Sequence, residues 1–334
     1  MIWERQVIEI PTIKDVAKKA GVSVTTVSRV LNNRGYISEA TRRKVYQAME
    51  DLDYHPNEVA RSLFRKKSNI IGLIVPTVAH PFFGELTSYL ETYAYSRGYK
   101  VLICNSQLNA LKEQEYIWML RRNQVDGIVM ASHTLEVEEY KKLNLPVVSF
   151  DRFISSRIPY VTSDNYQGGR LAVEHLLQRG CTKIAHLCGS LDLDMLANQR
   201  HRAFMNVAEE KNIPYCTVQT DVNVFEVDEY EELLTDLLVR HPDLDGLFLN
   251  SDIMAIAAIK VCGKLGMRIP QDIKIIGYDD VSIASLVSPQ ITTIRQPLAQ
   301  MSELSVKLIE DLVKKKAVPT ENCLPVELIE RGTT

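Results

Sequence analysis

The sequence lacks the features by which secreted, membrane-spanning and disulfide-bonded proteins are recognised. None of its apolar runs approaches the roughly 20 residues that span a bilayer. Its first ten residues include Glu4 and Glu9 and have neither a basic start nor an apolar stretch of signal-peptide length. The six cysteines are scattered without a Cys-x-x-Cys pair, which is typical of free, buried cytosolic thiols. We therefore expect a cytoplasmic protein with no membrane contact and assign no chemistry to the cysteines.

Motifs of the common enzyme classes are also missing. There is no Gly-x-x-x-x-Gly-Lys phosphate loop, Gly-x-Gly-x-x-Gly turn, His-Glu-x-x-His pair or Gly-x-Ser-x-Gly elbow. His175 and His186 are isolated, which favours structural roles. Asp151 and Asp279 could be imagined as a glycosidase pair, but nothing beyond their presence supports it. We predict no enzyme activity, no catalytic residue, no metal site and no cofactor.

The charge is unevenly distributed along the chain. Residues 1–68 contain 13 Lys or Arg and 8 Asp or Glu, a net charge of +5. The remaining residues contain 26 basic and 34 acidic residues, a net charge of −8. The overall charge of −3 therefore hides a basic head on an acidic body, and only the head suits the phosphates of a nucleic acid.

A pair of short helices is predicted near the start of the basic head. Thr12 stands three residues before Asp15 in capping-box spacing, and Gly21 can end the first helix at a tight turn. Ser23 can cap a second helix, with an inner face formed by Val24, Val27, Val30 and Leu31.

The outer face of the second helix has the composition of a DNA-reading surface. Thr25, Thr26, Ser28 and Arg29 are short polar side chains and one arginine, which suit a major groove. The alternative is a small helical hairpin that merely caps a larger domain.

A third helix and a linker follow. Ser38 can cap a helix that carries Val45, Ala48, Met49 and Leu52 at helical spacing. The stretch from Tyr54 to Lys67 then places Pro56 before a short basic helix.

Together these segments resemble the lactose-repressor (LacI/GalR) family of bacterial regulators. Its members pair Asp-Val-Ala, Val-Ser and Thr-Val-Ser-Arg-Val runs with a Pro-Asn-x-x-Ala-Arg-x-Leu hinge, and this chain has all of them. The resemblance implies that the hinge helix orders on operator DNA and inserts Leu63 into the minor groove, although ordinary hinge packing is the alternative for this side chain. The DNA-binding residues expected on this basis are Thr12, Ser23, Val24, Thr25, Thr26, Ser28, Arg29, Asn32, Tyr54, Asn57, Ala60, Arg61 and Leu63.

From residue 69 onward, short apolar runs alternate with helical patterns, which predicts an α/β domain with parallel sheets covered by helices. The family resemblance implies a two-lobed fold of the type-I periplasmic-binding-protein kind. The expected organisation is an N-terminal extension (1–11), an all-α helix-turn-helix domain (12–56), a hinge helix or linker (57–68) and an effector-binding and dimerisation domain (69–331). Within the last, we expect one lobe at about 69–162 and 292–320, and the other at about 163–291.

Polar residues follow the apolar runs, where ligands of such sheets bind. Carboxylates and arginines suit adjacent sugar hydroxyls, and an aromatic ring suits the apolar face of a sugar. The resemblance assigns the effector to Asp151, Arg200, Ser251 and Asp279 with Phe82 or Phe83 stacked on it, and Ser251 stands where many relatives have an amide, so Asn250 is expected to face away. The full predicted set is Phe82, Phe83, Asp151, Arg152, Arg200, Ser251, Asp279 and Gln296.

The sequence therefore predicts a homodimeric transcriptional repressor that a small sugar releases from a pseudo-palindromic operator. Runs around Leu102, Gln124 and Ser163 resemble the sucrose-operon repressors of low-GC Gram-positive bacteria, which favours sucrose or another fructose-containing sugar. The alternative is a catabolite control regulator, which binds a phosphorylated carrier protein. An extracytoplasmic sugar-binding protein would share the lobes but not the basic head.

Overall fold

A computed structural model describes residues 11–55, 67–132, 140, 142–192, 194–221 and 225–334. The residues of the predicted hinge, including Asn57, Ala60, Arg61 and Leu63, lie outside the described residues, as does most of the N-terminal extension. The chain divides into two units, residues 1–68 and 69–334, which are the basic head and the acidic body.

The described part of the head contains three helices, α1 (Ile13–Ala20), α2 (Val24–Leu31) and α3 (Glu39–Asp51). The backbone N–H and the hydroxyl of Thr12 both donate to the Asp15 carboxylate, at 2.8 and 2.7 Å. Gly21 ends α1 with a φ of +67°, which a residue with a side chain rarely adopts. The hydroxyls of Ser23 and Ser38 accept from the backbone of Thr26 and Thr41 at the starts of α2 and α3. The predicted caps of all three helices are therefore present.

The described part of the body is an α/β structure with two sheets of six strands, each covered by helices on both faces. Its strands are β1 (Ile70–Val75), β2 (Lys100–Asn105), β3 (Gly127–Met130), β4 (Val147–Phe150), β5 (Tyr160–Ser163), β6 (Ile184–Cys188), β7 (Tyr215–Gln219), β8 (Gly246–Leu249), β9 (Lys274–Asp279), β10 (Thr292–Arg295), β11 (Glu321–Leu324) and β12 (Glu327–Ile329). Its described helices are α4 (Pro81–Ser96), α5 (Ala110–Arg122), α6 (Asn165–Gln178), α7 (Asn198–Glu210), α8 (Val227–Arg240), α9 (Asp252–Leu265) and α10 (Leu298–Val313).

Each sheet forms the centre of one lobe. The first has the order β11-β5-β4-β3-β1-β2 and the second β12-β10-β9-β8-β6-β7. Neighbouring strands are parallel except for β12, which is antiparallel to β10. Buried apolar residues fill the space between each sheet and its helices. The predicted α/β class with parallel sheets is confirmed.

The chain crosses between the lobes three times, after β5, after β10 and after β11. The second crossing therefore follows Arg295, whereas the sequence placed it near residue 292, because β10 pairs with β9 in the second sheet. The third crossing, from Leu324 to Glu327, was not predicted, since β12 is short and half-exposed and has no apolar run. Thr333 closes the second lobe beyond the expected end at 331, accepting from the Thr292 backbone N–H at 2.8 Å.

All six cysteines are free thiols, as predicted. Four are buried, whereas Cys216 is half-buried and Cys323 is exposed on β11. None of the described helices is long and apolar enough to cross a membrane.

Candidate functional sites

The surface of α2 is the candidate DNA-reading face. Val16, Val27, Val30 and Val45 form the centre of the core of the head, and this packing turns the opposite side of α2 outward. Thr12, Ser23, Thr25 and Arg29 are exposed. Val24 is exposed as well, so its predicted place on the inner face is wrong: as the first residue of α2 it precedes the turn that packs on α1 and α3.

The remaining described positions of the predicted DNA face are half-buried. The Thr26 hydroxyl pairs with Ser23 Oγ at 2.9 Å, and the Asn32 side-chain amide donates to the Ser28 carbonyl at 2.8 Å. Tyr54 packs against the core of the head. These three side chains therefore also hold the ends of the helices in place.

The candidate effector site is a cavity between the two lobes of the body. Its volume is about 190 Å³. Residues that directly follow strands line it, among them Ala131, Asp151, Gly189, Asn250 and Gln296. The cavity thus lies at the carboxyl ends of the parallel strands, where such sheets bind ligands.

Arg200 is the central cation of this site. It is the third residue of α7 and is 96% buried. Its Nε donates to Asn165 Oδ1 at 2.7 Å and its Nη1 to the Asn250 carbonyl at 3.0 Å. The guanidinium lies over the Tyr278 ring, 3.5 Å from its centroid. These contacts fix the fork of the arginine toward the cavity before any ligand arrives.

Two carboxylates flank Arg200. Asp151 Oδ2 lies 3.9 Å from Arg200 Nη2, and its Oδ1 accepts from the Thr162 hydroxyl at 2.6 Å. Asp279 Oδ1 accepts from the Gln296 side-chain amide at 2.7 Å, and Gln296 in turn accepts from the Ser163 hydroxyl at 2.7 Å. Gln296 and Ser163 stand at two crossings between the lobes. They therefore connect the Asp279 carboxylate to the segments that link the two lobes.

The backbone at both carboxylates is unusual. Asp151 has a φ of +54° and Asp279 a φ of +107°, in the region that favours glycine. A non-glycine residue in such a conformation costs of order 1–3 kcal/mol and is found preferentially at functional sites. The strain supports the assignment of both residues to the site.

Burial dominates the electrostatics of the carboxylates. It raises the pKa of Asp151, and the charge of Arg200 opposes that effect. It raises the pKa of Asp279 to about 7, again against Arg200 and the hydrogen bond from Gln296. Asp279 therefore changes its protonation near neutral pH.

Aromatic rings form the other wall of the cavity. Phe82 and Phe83 meet edge to face, with centroids 5.1 Å apart, and Phe82 lies 6.3 Å from Phe150 in the same geometry. Phe225 of the second lobe reaches across to Phe83, with centroids 6.0 Å apart. His80 joins the group, and burial lowers its pKa to about 4, so its ring is neutral.

Several residues that line the cavity were not in the predicted set. His80 and Phe225 line the cavity, and only the position of His80 directly before Pro81 and Phe82 hinted at it. Asn250 also lines the cavity, and its Oδ1 is buried without a hydrogen-bond partner among the described residues. The expectation that Asn250 faces away stays a prediction, because its backbone carbonyl binds Arg200 and its Oδ1 has almost no accessible surface.

Two predicted effector residues have other contacts. Ser251 lines the cavity, but its hydroxyl also accepts from the Met254 backbone at 3.3 Å and so caps α9. Arg152 is buried outside the cavity wall, where the charges of Glu113 and Asp194 act on it and burial lowers its pKa. The chain turns at Asp151, so adjacent side chains point to different sides of the strand end. The other six predicted residues all line the cavity.

Comparisons with known protein families match both units. Residues 12–57 match the model of bacterial regulatory proteins of the lacI family, and residues 173–334 match that of a periplasmic binding protein-like domain.

Full-length relatives share more than a third of the sequence. The ribose operon repressor of Halalkalibacterium halodurans is 40% identical over 324 residues, which are 97% of this chain and 97% of that protein. The sucrose operon repressor of Streptococcus mutans is 39% identical over 320 residues, covering 96% of this chain and 98% of the relative.

Solved structures agree with these matches. A lac repressor dimer bound to operator and the anti-inducer ONPF is 28% identical, with a TM-score of 0.86 over 97% of this chain and 99% of the other. A periplasmic binding protein/LacI transcriptional regulator from Alkaliphilus metalliredigens, complexed with D-xylulofuranose, is 33% identical. It has a TM-score of 0.73 over 80% of this chain and 99% of the other.

Proposed function

Because the chain belongs to the lacI family of bacterial regulatory proteins, we propose that it is a repressor of a sugar-utilisation operon whose effector is a small sugar held between the two lobes. The chemical groups that line the cavity are the main support for this proposal. The cavity combines a fixed guanidinium and the carboxylates of Asp151, Asp221 and Asp279 with a wall of aromatic rings. Such a combination suits a polyhydroxylated ring, whose hydroxyls need charged partners and whose C–H face needs an apolar one.

Ribose and sucrose are the first candidate effectors. Two full-length relatives are named as repressors of a ribose operon and of a sucrose operon. The sequence patterns favour sucrose or another fructose-containing sugar, so we test both kinds of sugar.

Release from the operator follows from the position of the sugar. A ligand that contacts both lobes stabilises one degree of closure over another, and this differential affinity is what allostery requires. Operator DNA of twofold symmetry calls for a homodimer, and the relative bound to its operator is a dimer. A regulator of this kind works in the cytoplasm, where the chromosome is.

The test is thermal melting of the full-length protein against ribose, fructose, glucose, sucrose, maltose, their phosphates and purines. A ligand that binds only the folded state raises the melting midpoint by mass action. At a ligand concentration a hundred times the Kd, the free energy of unfolding increases by about 2.7 kcal/mol. We expect a shift with one sugar. No shift with any compound would contradict a sugar effector and favour control by a phosphorylated carrier protein.

The DNA-reading face has its own test. Thr25 is exposed on α2, so Thr25→Ala should change the ranking of operator variants at one base pair, by about 1–3 kcal/mol. Gln47→Ala, at an exposed position of α3, is the matched control and should leave the ranking unchanged. Binding to a library of operator variants, followed by sequencing, measures both. An unchanged ranking for Thr25→Ala would contradict the assignment of this residue to base recognition.

A further inference from the structure

Three side chains of the second lobe form a buried cluster beside the sugar cavity. His186 and Cys188 lie on β6, and His201 lies on α7. One ligand atom of each lies within 4.8 Å of those of the other two, and all three residues are at least nine-tenths buried. Within the described residues, no further His, Cys, Asp or Glu belongs to this group.

The histidines have unused buried nitrogens. His186 Nδ1 lies 2.9 Å from the Phe248 carbonyl oxygen, which can only accept, so Nδ1 carries the hydrogen and Nε2 carries a lone pair. His186 Nε2 and His201 Nδ1 are buried without hydrogen-bond partners in the part of the chain that the structure describes. An imidazole anchored through a backbone carbonyl, with its other nitrogen free, is the usual arrangement of a histidine that binds a metal.

We propose that His186, Cys188 and His201 bind one copper(I) ion. Thiolate and imidazole ligands together suit copper, and soft thiolates select its monovalent form. A structural zinc ion almost always takes four ligands, whereas this cluster offers three. Charge favours copper(I) too, because one thiolate neutralises a monovalent ion, whereas zinc would leave a net positive charge in a buried site.

Binding requires deprotonation and a small closure of the cluster. The Cys188 thiol donates to the Val218 carbonyl at 3.5 Å; on binding, its proton passes to solvent and the sulfur takes the ion without any change of oxidation state. Metal bonds of about 2.0–2.3 Å bring ligand atoms to roughly 3.5–4 Å from one another, so the side chains close by about 1 Å. Gly189 and Arg200, which line the sugar cavity, are the chain neighbours of Cys188 and His201. The ion would therefore fix the wall that carries Arg200.

The experiment measures copper(I) uptake by the reduced, full-length protein under anaerobic conditions, in competition with the chromophoric chelator bicinchoninate. All proteins carry Cys323→Ser, so that the exposed thiol does not contribute. We expect one copper(I) per chain and a thiolate-to-copper absorption in the ultraviolet. Cys188→Ser and His201→Gln should each weaken uptake at least tenfold, whereas Cys262→Ser, a buried cysteine of the same lobe outside the cluster, should leave it unchanged.

Several outcomes would overturn the proposal. They are the absence of stoichiometric uptake by the folded parent protein, undiminished uptake in both cluster variants, and stoichiometric zinc binding at these residues without copper binding. Circular dichroism establishes that the variants fold, and the ultraviolet band of the parent protein gives a readout that needs no variant. The measurement contains no sugar, so its result is independent of the proposed function.

Discussion

The two walls of the sugar cavity are built differently. The wall of the first lobe is mainly aromatic, with His80, Phe82, Phe83 and Phe150 in edge-to-face contact. The wall of the second lobe supplies the guanidinium of Arg200, the amide of Asn250 and the carboxylate of Asp279. Among the described residues that line the cavity, Asp151 is the carboxylate that the first lobe adds.

The two walls contribute differently to sugar binding. The aromatic rings at the start of α4 form an apolar surface on which the C–H face of many sugars can stack. The polar groups are held in fixed directions by hydrogen bonds. Hydrogen bonds to charged groups contribute about 1.5–3 kcal/mol each, and aromatic contacts about 0.5–1.5 kcal/mol beyond their buried area. We therefore expect the polar wall to set most of the affinity and the choice of sugar.

Removal of Arg200 should have the largest effect. Arg200→Ala deletes the charged donor and leaves Asp151 and Asp279 without their cation, so sugar affinity should fall by roughly a hundredfold or more. Calorimetric titration with the effector measures this, and operator binding without sugar should change little. Arg202→Ala, an exposed arginine of the same helix, is the control. Loss of sugar and operator binding together would indicate misfolding instead.

The protonation of Asp279 should make sugar binding depend on pH. An ionised carboxylate accepts hydrogen bonds from two hydroxyls, so affinity should rise as the pH increases toward and through about 7, by up to about tenfold per pH unit. Titrations between about pH 5.5 and 8 measure the slope, and Asp279→Asn should flatten it. An equal slope in Asp279→Asn would show that another group is responsible.

The same group affects stability in the opposite direction. Its pKa in the folded state, about 7, exceeds the ~3.9 of an unfolded aspartate, so the folded state binds more protons between these values. The free energy of unfolding from this group therefore falls as the pH rises from about 4 to 7, by at most about 1.4 kcal/mol per unit. Urea unfolding of the parent and Asp279→Asn proteins at several pH values should show the difference.

Loss of the Asn250 amide should have a smaller effect. Asn250 lines the cavity, and its side-chain amide can form one neutral hydrogen bond with a sugar, so Asn250→Ala should weaken sugar binding about fivefold, or about 1 kcal/mol. The Arg200 contact involves the backbone carbonyl of Asn250 and survives the substitution. No loss of affinity would mean that the sugar does not reach this amide.

Replacement of a ring in the aromatic wall should have the smallest effect. Phe82→Leu keeps an apolar side chain and loses only the stacking surface, so affinity should fall about threefold. Phe153→Leu, an exposed ring outside the cavity wall, is the matched control. A larger loss for Phe82→Leu than for Asn250→Ala would reverse the comparison between the two walls.

Strong local signals made the head and the body strands predictable. Caps at Ser23 and Ser38, the left-handed Gly21 and the apolar runs of β1, β6 and β9 are all readable from neighbouring residues. The strands β10 and β12 were not, because β10 buries polar threonines against β9 and β12 is short and half-exposed. The second crossing between the lobes was therefore placed a few residues too early, and the third was not predicted.

The candidate effector site was also only partly predictable from the sequence. Asp151 and Asp279 stand at strand ends and Arg200 at a helix start, and the family resemblance together with these positions led to their prediction. Phe225 enters from a loop, and the directions of Asn250 and Arg152 depend on backbone turns rather than on residue type. The buried pairing of His186 with His201 has no sequence signal at all, since 15 positions separate them.

Fluorescence anisotropy of labelled operator DNA, titrated with the sugar that raises the melting midpoint, tests the central claim most directly. We predict that this sugar lowers operator affinity in the parent protein and has no effect in Arg200→Ala. Unchanged operator affinity at saturating sugar in the parent protein, or an equal response in Arg200→Ala, would contradict the account.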